Sequence, residues 1–456
     1  MNIKILYRQT CVVLLIIVGL LEGGCKKYLD AKPDKALVIP SKVQDLQALL
    51  DNNQVMNTKD PGYGEASSDN YYLTTDGYYS LPYDEYRNLY LWKENNARDG
   101  SVSPWSYCYS PVYISNIVLE SIENIERTSN EAYAWDNVKG SALFYRGRCF
   151  FNAVQTWAKA YDESSSSTDL GVPLRLNSNF NEKSVRHTVA ECYNQIISDL
   201  KGSIPLLPDL PSHVMRPSKA GAYGMLARVY LSMRRYEQAK LYSDSCLMLK
   251  DDLMDYNAMS LTPSAPFTRT NPEIITYFAM LAAGTLTSTR YNVDSLLFSS
   301  YADSDLRKIG FFASRANGTY TFKGNYTSSG STFFGGIATD EIYLTRAECN
   351  ARLGKITEAM TDLNKLAKNR YDSTSFAPFD ANSAEKALEI ILSERRKELA
   401  FRDIRWMDIK RLNLEGYNIS LTRIVDGQTY SLAPNDDRFA LPIPLEVISM
   451  TGMPQN

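Results

Sequence analysis

The residues best placed for acid-base chemistry are Glu394 and Glu398, one helical turn apart in the segment Glu394–Arg411 (ERRKELAFRDIRWMDIKR). Side chains four positions apart are neighbours on one helix face, roughly 5 to 6 Å between Cβ atoms. Glycoside hydrolysis needs its two carboxyls on opposite sides of the bond being cut, so this pair is poorly placed for it. Arg395, Arg396, Arg402 and Arg405 are interleaved with the two acids, and adjacent cations keep carboxylates ionised. The pattern reads as a structural ion-pair network, with Asp403, Trp406 and Asp408 in the same scaffold; a secreted glycan hydrolase is the rival reading. His187 and His213 are the only histidines and stand far apart, which leaves little material for histidine catalysis or a histidine metal cluster. There is no Walker-type loop, HExxH or GxSxG, although a serine nucleophile with scattered partners would escape such a search. No cofactor is expected. The one oxygen-rich stretch that could hold calcium is Asp303, Ser304 and Asp305, and it lacks an EF-hand pattern.

Binding chemistry is better supplied. The chain of 456 residues holds 31 tyrosines and 5 tryptophans at a net charge of −3, with no basic footprint for nucleic acid. A sugar's C–H face is apolar and lies flat on an aromatic ring, while its hydroxyls seek donors and acceptors at the ring edge. Tyr71, Tyr72, Tyr78, Tyr79, Tyr83 and Trp92 lie without period among Asp, Gly, Thr and Pro, so they are expected to be exposed and are candidate ligand contacts. Tyr291, Tyr320, Tyr326, Phe333 and Phe334 are the parallel candidates further on. Trp105, Tyr109 and Tyr113 recur every four residues and read as a helical core stripe. Peptide recognition would use backbone hydrogen bonds and pockets instead.

The elements that must position these groups are mostly helical. Ser41 is placed to N-cap a short helix carrying Val43, Leu46, Leu49 and Leu50. Ile114, Ile117, Val118, Ile122 and Ile125 form a second stripe, Trp135 to Tyr161 a third helix, and Thr188 to Ser203 a fourth ended by Pro205 and Pro208. Thr319–Lys323 and Ala440–Pro444 are short strand candidates. Ala227 and Ala239 are twelve apart around a turn at Arg234–Tyr236, and Ala347 and Ala359 are twelve apart around Gly354–Lys355. That is the small-residue spacing of a tetratricopeptide helix pair. The scattered Cys108, Cys149, Cys192, Cys246 and Cys349 form neither CxxC nor zinc spacing and read as buried small hydrophobes.

The N-terminus reads as an export signal. Lys4 and Arg8 precede an apolar run, Cys11–Leu21 (CVVLLIIVGLL), that is too short to span a bilayer, and Gly23, Gly24 and Cys25 follow. The segment resembles a bacterial lipoprotein signal, with Glu22 where an aliphatic residue is usual; the resemblance implies diacylation of Cys25, and a plain signal peptide is the alternative.

The whole chain resembles the SusD/RagB family. The residues that carry the likeness run in order: Lys27, Tyr28, Leu29 and Asp30; Ser68–Tyr72 (SDNYY); Trp105, Tyr109 and Asn116; Ala142–Tyr161 with Gly171, Val172, Pro173 and Leu174; Val189, Tyr193, Ile196, Asp199 and Leu200. In the second half they are Asn271–Ile274 (NPEI), Asp305–Arg307 (DLR), Glu341–Glu348 (EIYLTRAE), Glu394–Arg411, Leu441–Pro444 (LPIP) and the terminal Gln455 and Asn456. The resemblance implies a mostly all-α fold of tetratricopeptide-like helix pairs, with long loops and a few short strands forming a ligand face. It implies a cell-surface, non-enzymatic lipoprotein of the outer membrane that delivers oligosaccharides to a SusC-like TonB-dependent transporter; a RagB-like protein that binds peptides is the alternative. The expected organisation is a signal at 1–24 and a lipid-anchored tether at 25–33. A helical region at 34–250, with an aromatic loop at 60–113, is followed by a loop-rich insert at 251–340 and a second helical region at 341–456.

Overall fold

The computed structural model describes residues 40–97, 99–100, 103–281, 283–330 and 332–456. The signal, Cys25 and the tether at 25–33 lie outside the described residues. Residues 42–456 form one compact unit. It is mostly helical, as expected.

Its frame is α1 (Val43–Leu50), α2 (Pro104–Ile122), α3 (Ala132–Trp157), α4 (Val189–Ser203), α5 (Lys219–Ser232), α6 (Tyr236–Leu249), α7 (Thr339–Arg352), α8 (Ile356–Ala367), α9 (Ala384–Glu398), α10 (Arg405–Asn413) and α11 (Leu445–Thr451). Helix α3 packs between α2 and α4, α5 against α6, and α7 against α8. Ala227, Ala239, Ala347 and Ala359 are all fully buried, so both helix pairs close on small side chains as their spacing predicts. Helix α6 also packs on α7, which makes the two pairs neighbours despite the insert between them.

Ions tie the frame together. Arg146 of α3 bonds Asp199 of α4 at 2.7 and 2.8 Å and Asn116 of α2 at 3.0 Å. Arg228 of α5 bonds Glu341 of α7 at 2.6 and 2.8 Å, and Arg411 of α10 bonds Glu348 of α7 at 2.6 and 2.8 Å. The five cysteines are free and buried.

The insert is where expectation and structure part. Its short strands stitch it to the early aromatic segment: Ala279–Leu281 lies between Asp60–Pro61, parallel, and Phe333–Phe334, antiparallel. Tyr71–Leu73 pairs with Tyr291–Val293 in antiparallel register, Tyr71 opposite Val293. Ile274–Thr276 pairs with Ile337–Ala338, and Phe312–Ser314 with Tyr320–Phe322. The 319–323 strand is therefore present, one residue shorter at each end.

Two local expectations are corrected. Helix α1 is preceded by Lys42 in extended conformation with no side-chain cap, so Ser41 does not cap it. Ala440–Pro444 is not a strand: Pro442 and Pro444 have no N–H to give a ladder, and Ile443 instead exchanges two 2.8 Å bonds with the Gln455 amide.

Candidate functional site

A cleft with an aromatic lining opens along the first turns of α2. Ser103 and Ser106 cap the helix reciprocally, each backbone N–H bonded to the other's hydroxyl, at 3.1 and 3.2 Å, and Pro104 fits the first turn, where no N–H is needed. This start sets Trp105, Tyr109 and Tyr113 along one edge of the helix. Cys108, Ser115 and Val118, further round the helix, are buried, as is Val112, which lies beside Trp105 and also lines the cleft. The loop 171–187 forms the facing wall, held by the Tyr109 hydroxyl on Pro173 O at 2.9 Å and by Asn116 Nδ2 on Arg175 O and Asn177 O at 2.8 and 3.0 Å. Val447 of α11 and Met453 just beyond it close the third side of a cavity of about 250 Å³.

The floor is aromatic. Trp105 and Tyr109 stack with centroids 4.7 Å apart and 26° between planes, and Trp157 meets Trp105 edge-on at 4.9 Å. Tyr113 is 43 % exposed and Phe180, at the loop tip, 79 %. Asn116, Arg175, Asn177, Ser178 and Ser184 supply the polar lining. An apolar ring surface beside a few convergent amide, hydroxyl and guanidinium groups is what a ligand with one apolar face and polar edges requires.

Of the stripe read as core, Trp105 and Tyr109 are half-buried and packed against the core while their outer edges face the cleft, and Tyr113 is exposed. Helix α2 carries apolar residues on more than one face, so its periodicity does not say which face is covered; the loop that leaves this one partly open is some 60 residues away in sequence. Phe180 lies outside the candidates read from sequence, and its signal there is its setting among Asn177, Ser178, Asn179 and Asn181.

The residues chosen from sequence lie elsewhere. Tyr71, Tyr78, Trp92, Tyr291, Tyr326 and Phe334 are buried, as is Phe333, contrary to the exposure their aperiodic setting predicts. The strand pairings explain this, because they fold two apparent loops into one aromatic core. The Tyr71 and Tyr291 rings meet edge-on at 5.9 Å and Tyr326 and Phe334 at 5.7 Å. Their polar atoms are used internally: Tyr71 donates to Ala66 O at 2.6 Å, Trp92 Nε1 to Ser67 O at 3.0 Å, Tyr326 to Glu273 at 2.5 Å. Tyr72 and Tyr320 are half-buried, Tyr320 stacked on Phe298 at 3.6 Å. Only Tyr79 and Tyr83 of the chosen set are exposed. Tyr79 bonds Asp426 at the tip of the 421–432 hairpin, and neither lines the cleft.

The carboxylate pair is an ion network in the interior. Arg307 bonds Glu394 at 2.5 Å, Glu398 at 2.9 Å and Asp305 at 2.7 Å, and Arg370 joins Glu398 to Glu273 at 2.8 and 2.6 Å. Burial alone would push the Glu394 carboxyl up, but the Arg307 and Lys397 charges outweigh it and hold it below the usual range. Of the oxygen-rich stretch, Asp305 belongs to this network and Asp303 pairs with Lys308 at 2.7 Å. Among the described residues no group of three or more His, Cys, Asp or Glu is arranged to hold a metal ion.

A helical-repeat scaffold with short strands and an aromatic cleft defines a class of binding protein, and comparison gives the family. Residues 27–231 match the SusD-like_3 family, described as starch-binding associating with outer membrane, and residues 339–449 match the SusD_RagB family, described as the SusD family. The chain belongs to the SusD/RagB family. Similar solved structures include a SusD superfamily protein from Bacteroides thetaiotaomicron VPI-5482, 21% identical with a TM-score of 0.70 over 91% of this chain and 99% of that one. A SusD-like carbohydrate binding protein from Bacteroides vulgatus ATCC 8482 is 22% identical, TM-score 0.65, over 86% and 89%. A laminarin binding SusD-like protein is 17% identical, TM-score 0.63, over 90% and 97%. No curated protein matches the sequence. Among the described residues no helix is long and apolar enough to cross a membrane.

Proposed function

We propose that this protein is a non-enzymatic lipoprotein of the outer cell surface, anchored through acylated Cys25, that captures oligosaccharides and hands them to a SusC-like TonB-dependent transporter. Family membership supports the partnership and the membrane. The observation that carries the binding role is the stacked, partly open Trp105–Tyr109 pair in a polar-edged cleft. Interior placement of Glu394 and Glu398, each bonded to Arg307, speaks against hydrolysis by that pair. Two or more acyl chains give a stable anchor where one is marginal.

The test is calorimetric titration of the acylated protein and of Trp105→Ala with a panel of oligosaccharides and peptides. Glycan binding without turnover, lost in Trp105→Ala, is expected. Binding of peptides alone would favour the RagB-like reading, and glycan binding untouched by Trp105→Ala would remove the site from this cleft. Co-purification of a TonB-dependent transporter from outer membranes tests the partnership.

A further inference from the structure

The cleft's electrostatics narrow its ligand, on the premise that it is the binding site proposed above. Arg175 is the one charged side chain in its lining, and all its protein acceptors are neutral: Glu182 O at 2.5 Å, Ser184 Oγ at 3.1 Å and Asn179 O. Its Nε–H has no acceptor among the described residues, and a guanidinium with a free N–H beside a cleft can take a carboxylate or sulfate.

A second guanidinium without an anion lies behind the loop. Arg186 bonds Gly171 O at 2.7 Å, Leu170 O at 3.1 Å, Pro454 O at 3.2 Å and Asn456 Oδ1 at 2.6 Å. Burial pulls it down to about 10, and both arginines act electrostatically on the Tyr109 phenol. In the helical frame Arg146, Arg148, Arg307 and Arg370 each meet a carboxylate, whereas Arg423 and Arg315, like Arg175 and Arg186, bond neutral acceptors. The carboxylates nearest in this region are engaged with neutral groups: Glu120 accepts from Ser178 N at 2.7 Å and from its hydroxyl, and Glu182 from Asn177 Nδ2 at 2.5 Å. Neither forms an ion pair with Arg175 or Arg186, and neither lines the cavity.

We infer that the cleft selects acidic oligosaccharides, whose pyranose faces lie on Trp105 and Tyr109 while a uronate or sulfate group takes the free Nε–H of Arg175. A planar uronate and a tetrahedral sulfate each offer two adjacent acceptor oxygens, and the guanidinium suits both.

Three tetrasaccharides test this by calorimetry on the intact protein: tetragalacturonate, a carrageenan-type tetrasaccharide with sulfate but no uronate, and neutral laminaritetraose. At least one acid is expected to bind about tenfold tighter than the neutral probe, and the preference to shrink as ionic strength rises from about 0.05 M to about 0.5 M. The two acids between them say which group is preferred. Arg175→Gln should abolish the preference of acidic over neutral probes. Because Arg175 also organises its loop, Phe180→Glu and Phe180→Gln form a second pair on an exposed side chain, differing only in charge. Phe180→Glu should weaken the acid about threefold more than Phe180→Gln, with no such gap for laminaritetraose. Neutral binding equal to or tighter than acidic, lost in Trp105→Ala, would overturn the acidic selectivity while leaving the site intact. Acid binding that survives Trp105→Ala would overturn it too, and binding of none of the three would overturn both selectivity and site.

Discussion

Arg234 and Gly354, 120 positions apart, hold the same left-handed backbone conformation, with φ of 60° and 74°. Each ends the first helix of a pair, and in each the next residue's N–H reaches back to a carbonyl in that helix: Arg235 to Tyr230 at 2.9 Å and Lys355 to Asn350 at 2.8 Å. The repeat is thus geometric as well as compositional. At one position it is met by glycine, at the other by an arginine whose Nη1 is held on Tyr161 O at 2.8 Å.

Gly354→Ala is expected to destabilise by about 1 kcal/mol. An added Cβ would touch nothing within 4 Å, so the cost is the backbone's alone. Denaturant unfolding measures it, and an unchanged midpoint would mean that the turn relaxes to another conformation.

Arg307→Ala leaves Asp305, Glu394 and Glu398 in the interior with only Lys397 and Arg370 to neutralise them. Removing one partner of a buried ion group costs about 3 to 5 kcal/mol, so the variant should unfold at much lower denaturant or fail to accumulate. Glu394→Gln should cost less, since Glu398 and Asp305 still neutralise Arg307. Equal stability of the two variants would contradict the network.

Two carboxyls give stability opposite slopes with pH. Glu394 is held below its ordinary value of 4.5, so its contribution is present above that value and fades as pH falls through the folded value. Glu65 is pushed up to about 7 from 4.5, chiefly by burial, against the lowering effect of its bonds from Asn70 and the Asp403 backbone. Its folded form keeps a proton that the unfolded chain has released, so its contribution is full below about 4.5 and declines as pH rises to about 7. Glu65→Gln should flatten the fall in melting temperature across that window, whatever its effect on absolute stability. An unaltered slope would place the titration elsewhere.

Trp92→Ala and Tyr79→Ala separate core from surface. Trp92 is 1 % exposed and packed against Arg423, whose guanidinium lies 5.2 Å from its ring, so its truncation should cost about 3 to 5 kcal/mol. Tyr79 is 59 % exposed, and its truncation should stay within about 0.5 kcal/mol. Thermal melts of the two variants side by side test the assignment.

Elements with local signals were legible from sequence. Thr188 and Glu191 form the capping box that starts α4, with bonds of 2.8 and 3.2 Å, and the Gly354 turn announces itself by residue type. The strands were not. Tyr71–Leu73 and Tyr291–Val293 are three residues each, too short for alternation to register, and each finds its partner more than 200 positions away.

What sequence alone determined is the helical frame, its paired small residues and the charge-rich segment that locks it, because these follow from spacing within one or two helices. Tertiary structure decided which aromatics are available. Tyr71 and Tyr291 were taken into the core by a pairing neither segment encodes, while Trp105 and Tyr109 were left partly open by the loop 171–187. Whether a ring is floor or filling depends on what a distant segment lays over it.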